Sequence, residues 1–164
     1  MNIRFGILTL SDRSSRGERE DASRPALARL IETEGWSVAK QDLLPDDEFA
    51  IRERLISWAD SGEIDVILTT GGTVFAPRDV TPEATRAIID REAPGLAEAM
   101  RAASLKVTPH AMLSRIVTGI RKRTLILNLP GSPKGAVENL QVVIAALPHA
   151  VQLLREDAAS ESTH

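Results

Sequence analysis

The sequence predicts an α/β fold: a three-layer α/β/α sandwich built on a mainly parallel sheet, with one β-hairpin. First, short apolar runs that suit buried strands alternate with longer stretches of helical periodicity. Second, the β-branched run 65–70 is bounded by glycines, as is typical of a central parallel strand. Third, two β-rich runs, 113–120 and 124–129, flank Arg121-Lys122-Arg123, which is expected to be a solvated hairpin turn.

The first half of the chain gives the elements in order. Residues 3–10 predict a buried strand, and the charged stretch 13–21 predicts a mobile loop. Ser23 is expected to cap a helix that ends at Gly35, because serine suits an N-cap and glycine suits a helix C-terminus. Residues 38–44 then predict a second strand.

Helix signals continue after that strand. Asp47 is expected to cap a helix that runs to about residue 61. Thr81 followed by Pro82 predicts another helix start, with threonine as the cap and proline at the first helical position. Pro94 is expected to end that helix, before a further helical stretch at 95–106.

The C-terminal part is expected to be helical over 134–147, with a break at Pro148 before a last helix to about residue 156. Residues 1–157 are therefore expected to form one domain, and 158–164 a disordered tail. There is no sign of an internal repeat or a second domain.

Composition excludes several classes of protein. The formal net charge of -3 argues against nucleic-acid binding, and the absence of cysteine excludes disulfides and thiolate metal sites. No run approaches the ~20 apolar residues that span a membrane, and the N-terminus lacks a signal peptide. A cytoplasmic protein with no membrane or nucleic-acid partner is expected. The Walker, Rossmann, zincin and nucleophile-elbow motifs are missing.

A glycine-rich strand end is the strongest candidate for chemistry. Thr70-Gly71-Gly72-Thr73 closes the central strand, and a helix opens at Thr81. Paired glycines let a ligand approach the backbone, and backbone amides with threonine hydroxyls can hold phosphate oxygens. The alternative is a plain strand-to-helix turn. Ligands of open α/β sheets bind at such carboxyl ends, which also brings Ser11-Asp12 under consideration.

Two aspartates predict a metal ion. A carboxylate beside a phosphate-binding loop would repel the phosphate unless a cation lies between them. Asp46 follows a predicted strand, and Asp79 lies in the loop after another. With a nucleotide triphosphate they would form a Mg²⁺ site of few protein ligands. Alternatively, Asp79 caps a turn and Asp46 is a surface acid.

A second loop follows the last strand. Pro130-Gly131-Ser132-Pro133 is stiffened by its prolines, and Lys134 supplies a positive charge for phosphate. A tight connection without function is the alternative.

Together these motifs resemble the MogA-like molybdopterin adenylyltransferases, a family related to the N-terminal domain of gephyrin. The resemblance covers about residues 3–156. Its motifs are Leu10-Ser11-Asp12-Arg13, Leu44-Pro45-Asp46, the segments 69–73, 78–85 and 128–133, and Leu113-Ser114-Arg115.

The resemblance implies a three-layer domain that forms homotrimers and transfers AMP from ATP to the terminal phosphate of molybdopterin, releasing pyrophosphate with Mg²⁺. It implies that Asp46 and Asp79 are the catalytic, metal-binding aspartates. It places Gly71, Gly72 and Thr73, with Ser114 and the loop of Pro130, Gly131 and Ser132, in the substrate pocket. A molybdate-inserting protein of the same pathway is the expected partner.

One departure from the family pattern keeps two alternatives open. Val74 stands where relatives carry a glycine, and a position that needs positive φ would be strained by valine. The alternatives are a non-catalytic molybdopterin-binding protein and a nucleotide pyrophosphatase. The intact segment 78–83 argues against the first, and the short chain argues against the second.

Overall fold

Strands and helices alternate along residues 1–156, the part of the chain that the computed structural model describes. The strands are β1 (Arg4–Leu10), β2 (Ser37–Leu44), β3 (Val66–Thr70), β4 (Arg91–Glu92), β5 (Thr118–Arg121) and β6 (Thr124–Leu129). The α-helices are α1 (Asp12–Ser15), α2 (Ser23–Thr33), α3 (Glu48–Asp60), α4 (Thr81–Ile88), α5 (Pro94–Leu105), α6 (Pro133–Val143) and α7 (Leu147–Leu154). Two 3₁₀ turns span Pro109–Leu113 and Ile144–Ala146.

The strands form one sheet in the order β2-β1-β3-β6-β5-β4. Strands β1, β2, β3 and β6 are parallel, whereas β5 pairs antiparallel with β6 and with β4. The predicted central strand is β3, which lies between β1 and β6, and the predicted hairpin is β5–β6. Lys122 in its turn has a φ of 52°, as a tight hairpin requires.

Both faces of the sheet are covered, which confirms the three-layer fold. Side chains of β1 alternate: Phe5 and Ile7 pack under α2, α5, α6 and α7, whereas Leu8 and Leu10 pack under α3 and α4. Full burial of each such side chain contributes about 1.5–3 kcal/mol. Because both faces of the sheet are buried, the strand sequences are continuous apolar runs rather than alternations of apolar and polar residues.

Helix starts depend on tertiary contacts as well as on local capping. Asp47 caps α3 as predicted, because its carboxylate accepts a hydrogen bond from the Ala50 amide. The predictions that Ser23 and Thr81 are N-caps are wrong: each is the first residue of its helix. Both hydroxyls are instead used to hold neighbouring loops at the carboxyl edge of the sheet.

Three other boundaries differ from the predictions. Pro94 begins α5 rather than ending α4, which stops at Ile88, and the short strand β4 lies between them. The expected strand 113–120 is reduced to β5, because Leu113 ends a 3₁₀ turn and residues 114–117 form neither helix nor strand. The expected loop 13–21 begins inside α1.

The C-terminal helices pack as core elements. Within residues 1–156, the 22-residue segment Pro133–Leu154 is long enough to cross a membrane and contains a window with a mean hydropathy of 1.3, although the sequence predicted no such span. A 3₁₀ turn interrupts it just before Pro148, close to the predicted break. Leu140, Leu147 and Val151 are buried against the sheet. The predicted tail 158–164 lies outside the described residues.

A buried carboxylate joins the start of β1 to the residue after α7, at the amino ends of the parallel strands. Asp65 accepts hydrogen bonds from Arg4 Nε at 3.1 Å and from Arg155 Nη2 at 2.7 Å. Burial alone would raise the pKa of Asp65, but the hydrogen bonds from both arginines outweigh burial and hold this pKa below its ordinary value.

Candidate functional site

The parallel strands direct four loops to one edge of the sheet. Ser11 and Asp12 follow β1, Asp46 follows β2, the paired glycines follow β3, and Pro130-Gly131 follows β6. The loops are joined to one another: Thr70 Oγ1 donates to Pro130 O at 2.6 Å, and Gly71 N donates to Leu129 O at 3.2 Å. The expected gathering of strand ends is therefore present.

The paired glycines are required by conformation and by space. Gly71 has a φ of +105° and Gly72 a φ of +68°, both in the region that favours glycine. A Cβ at Gly71 would collide with the carbonyl oxygen of Leu10, and one at Gly72 would lie 2.9 Å from Asp46 Oδ1. The glycines therefore bring the β3 loop directly against the predicted catalytic aspartate.

Asp46 is fixed by reciprocal hydrogen bonds with Asp12. The Asp12 amide donates to Asp46 Oδ2 and the Asp46 amide donates to Asp12 Oδ1, each at 3.0 Å. Arg78 binds the Asp12 carboxylate through Nε and Nη2, both at 3.0 Å, and this bond holds the pKa of Asp12 below its ordinary value. Burial raises the pKa of Asp46, and the carboxylates of Asp12 and Asp79 raise it further.

The loop that carries Asp79 is held in place by Arg115. Its Nε donates to Val74 O at 2.6 Å, and its Nη2 donates to Asp79 O at 2.7 Å. The same guanidinium forms an ion pair with Glu83 in the first turn of α4, with Nη1 and Oε2 2.7 Å apart. Sequence reasoning gave Arg115 no role, although it follows Ser114 in a quoted motif.

The predicted site residues line two neighbouring cavities. A polar cavity of about 400 Å³ is lined by Ser11, Asp12, Asp46, Thr70, Gly71, Gly72, Asp79 and Gly131. A second cavity of about 220 Å³ is lined by Thr73, Ser114, Pro130 and Ser132. The loop after β3 forms a wall of both cavities. Its residues Gly71 and Gly72 line the polar cavity, and Thr73 and Val74 line the second cavity.

Two predicted residues lie outside both cavities. Thr81 is fully buried behind the β3 loop, where its hydroxyl donates to Gly71 O at 3.0 Å. Lys134 is 81% exposed and its Nζ lies 3.9 Å from Glu138 Oε1 one helical turn away. Lys134 therefore lines neither cavity in this structure, and its contact with a phosphate stays a prediction. Arg13 and Arg19, which belong to the stretch predicted to be a mobile loop, do line the polar cavity.

Val74 does not strain the loop. Among residues 1–156, only Lys122 and Glu156 have positive φ without being glycine, so valine fits the backbone at position 74. Its amide donates to Asp79 Oδ2 at 3.0 Å, and its side chain is exposed beside the second cavity. The strain that valine would suffer at a positive φ is therefore absent at position 74.

The carboxylates suit a hard cation that also binds a substrate. Asp46 Oδ1 is buried and has no hydrogen-bond partner, and such an atom is normally satisfied by a donor or an ion. No group of three or more acidic or histidine side chains converges on a metal site within residues 1–156. A magnesium ion with few protein ligands, completed by phosphate oxygens and water, is compatible with this donor set.

Comparison with known proteins decides the family. The family model described as "Probable molybdopterin binding domain" matches residues 6–149. The chain belongs to this family. In solved structures, the molybdopterin biosynthesis enzyme MoaB of Thermus thermophilus is similar, with a TM-score of 0.89, 53% identity, and coverage of 94% of this chain and 98% of that one.

Curated relatives carry names from the same pathway. The molybdopterin adenylyltransferase of Escherichia coli is 41% identical over 166 residues, covering 93% of this chain and 85% of its own length. The molybdenum cofactor synthesis protein cinnamon of Drosophila melanogaster is 46% identical over 159 residues, covering 96% of this chain. The chain spans only 26% of the Drosophila protein and 23% of the Dictyostelium discoideum gephyrin. The family predicted from the motifs is thus confirmed.

Proposed function

We propose that this protein is a molybdopterin adenylyltransferase of molybdenum cofactor biosynthesis, transferring AMP from ATP to the terminal phosphate of molybdopterin. The single observation that carries the proposal is the polar cavity, in which Asp46 and Asp79 face a glycine loop at the carboxyl edge of the sheet. The similarity to adenylyltransferases of comparable length supports it.

The reaction needs positioning more than acid-base chemistry. An oxygen of the molybdopterin phosphate forms a bond to the α-phosphorus of ATP, and the bond from that phosphorus to the β-phosphate oxygen breaks, releasing pyrophosphate. A phosphate monoester is already largely ionised at neutral pH, with a second pKa of about 6. No general base is required, and the protein must hold two anions in line and balance their charge.

The two cavities suit two substrates. Because Gly71 and Gly72 line the polar cavity while Thr73 and Val74 line the second, ligands in both would meet across this loop. We assign the triphosphate to the polar cavity, which contains both aspartates. Asp46 and Asp79 would hold Mg²⁺, which would neutralise phosphate charge when bound. Gly71 and Gly72 leave room for phosphate oxygens near the backbone.

Replacing Asp79 tests the assignment. Asp79→Asn should lower the rate of pterin-dependent pyrophosphate release about 100-fold or more, because the Mg²⁺ that would neutralise the reacting phosphates loses a carboxylate ligand. Molybdopterin binding should persist. Glu53→Gln removes one charge from an exposed position of α3 and is the matched control. Near-normal turnover of Asp79→Asn would exclude the catalytic role, and AMP release without pterin would indicate a pyrophosphatase instead.

Assembly into a homotrimer is a further part of the proposal. Val107 and Met112 are 69% and 67% exposed, and Val107 and Val142 line a shallow surface groove. The exposed apolar side chains along this groove suit a subunit interface. Val107→Glu should convert the assembly to monomers in sedimentation measurements, and a wild-type monomer would refute the proposal. The cytoplasmic location and the molybdate-inserting partner stay predictions.

A further inference from the structure

Two arginines provide positive charge in the polar cavity without having a partner of their own. Arg13 and Arg19 are the cationic residues among those that line this cavity in residues 1–156. Neither side chain forms an ion pair or a hydrogen bond with the described part of the chain. A guanidinium offers five donors in a planar fork, so two such groups in a polar cavity can bind an anion.

Other arginines near the cavity differ from Arg13 and Arg19 because each already forms an ion pair with a carboxylate. Arg16, between the two in sequence, binds Glu18 with Nε and Oε1 3.0 Å apart and does not line the cavity. Arg78 binds Asp12, and Arg24 lies 3.0 Å from Asp21 Oδ2. The pairing neutralises the carboxylates of Asp12 and Asp21. The charges left to a ligand are therefore those of Asp46, Asp79 and Glu20, which also lines the cavity, and those of the two unpaired arginines.

The wall of the cavity also contains an unsatisfied hydroxyl. Thr9, near the end of β1, is only 6% exposed, lines the polar cavity, and has no hydrogen-bond partner for its Oγ1. A buried hydroxyl without a partner is uncommon in proteins, because its desolvation is costly. Its position in the cavity wall indicates that a polar ligand completes its hydrogen bonding.

We propose that Arg13 and Arg19 bind the β- and γ-phosphates of the nucleotide, so that the enzyme selects a triphosphate over a monophosphate. The inference rests on the proposed adenylyl transfer. Guanidinium groups bind phosphate through paired, charge-assisted hydrogen bonds, which are stronger than those of neutral donors. The same contacts balance the charge that develops on pyrophosphate as the bond to the α-phosphorus breaks. Arg13 and Arg19 therefore take the role that the sequence suggested for Lys134.

The test compares two nucleotides on the full chain. Binding of ATP with Mg²⁺, and separately of AMP, is measured by calorimetry without molybdopterin for the wild type, Arg13→Gln, Arg19→Gln and the matched control Arg16→Gln. Each of the first two changes should weaken ATP binding about tenfold, as expected for a lost charged hydrogen bond, and leave AMP binding unchanged. Arg16→Gln should bind both nucleotides like the wild type.

The outcomes separate the inference from the proposed function. Unchanged ATP affinity in Arg13→Gln and Arg19→Gln, with wild-type pyrophosphate release intact, would overturn the inference alone. Equal weakening of ATP and AMP binding would place the arginines on the nucleoside and also overturn it. A wild type that binds no Mg-ATP would overturn both. A second measurement needs no variant: ATP affinity should fall more steeply with added salt than AMP affinity.

Discussion

Gly72 offers a test of how tightly the glycine loop is fitted to Asp46. In Gly72→Ala the new Cβ would lie 2.5 Å from Thr81 Oγ1 and 2.9 Å from Asp46 Oδ1, on a backbone with a φ of +68°. The left-handed conformation costs an L-residue roughly 1–2 kcal/mol. Overpacking of a fixed site adds roughly 1–3 kcal/mol. We therefore expect the free energy of unfolding to fall by about 2–5 kcal/mol.

Gly35 supplies the matched control, because it shares the conformation without the crowding. Its φ is +80°, and a Cβ there would meet nothing within 4 Å. Gly35→Ala should therefore lose only the conformational part, roughly 1–2 kcal/mol, and keep full activity. The difference between the two variants isolates the contact with Asp46 and Thr81.

Urea unfolding and pterin-dependent pyrophosphate release provide the two assays. Gly72→Ala should be less stable than Gly35→Ala and should turn over substrate at a much lower rate, because both Thr81 and Asp46 have to move. If the two variants were equal in stability and in rate, the reasoning that connects the glycine to the aspartate would be refuted.

Three further variants examine the surroundings of the site and the fold. Val74→Gly should leave the turnover rate nearly unchanged, since valine is unstrained there; a several-fold increase would contradict this. Arg115→Lys should lower the turnover rate, because only a guanidinium reaches the carbonyls of Val74 and Asp79. Glu83→Gln should have little effect on this rate. Equal losses in the two variants would assign the effect to the ion pair between Arg115 and Glu83. Asp65→Asn should lower the free energy of unfolding at pH 7 by about 1–3 kcal/mol, allowing for partly exposed arginines. Because the pKa of Asp65 is lowered in the folded protein, the stabilisation by its carboxylate is complete above pH ~4, the ordinary pKa. This stabilisation disappears as the pH falls through the pKa of the folded state. Urea unfolding measured between pH 2 and 7 should show the loss in the wild type and not in Asp65→Asn.

The sheet could be predicted because burial on both faces leaves a direct mark on the sequence. The run that became β3 is apolar at successive positions and ends at glycines, and the structure places it in the middle of the sheet. The helix starts at Ser23 and Thr81 were predicted less well, since local capping rules assume that the hydroxyl serves its own helix. Here each hydroxyl donates to a carbonyl of another loop, and no local pattern announces such a tertiary contact.

The same distinction applies to the site: some of its residues could be predicted from the local sequence, and others could be identified only from the fold. Asp46 and the paired glycines were predictable, because strand ends of a parallel sheet meet at one edge and short side chains stay where the backbone puts them. Long cationic side chains do not follow this rule. Lys134 begins near the pocket loop and extends to Glu138, whereas Arg13 and Arg19 belong to a charged segment without periodicity. Positions of carboxylates and glycines in such a site can thus be predicted from topology, but the cations that meet the phosphates are identified only once their other partners are known.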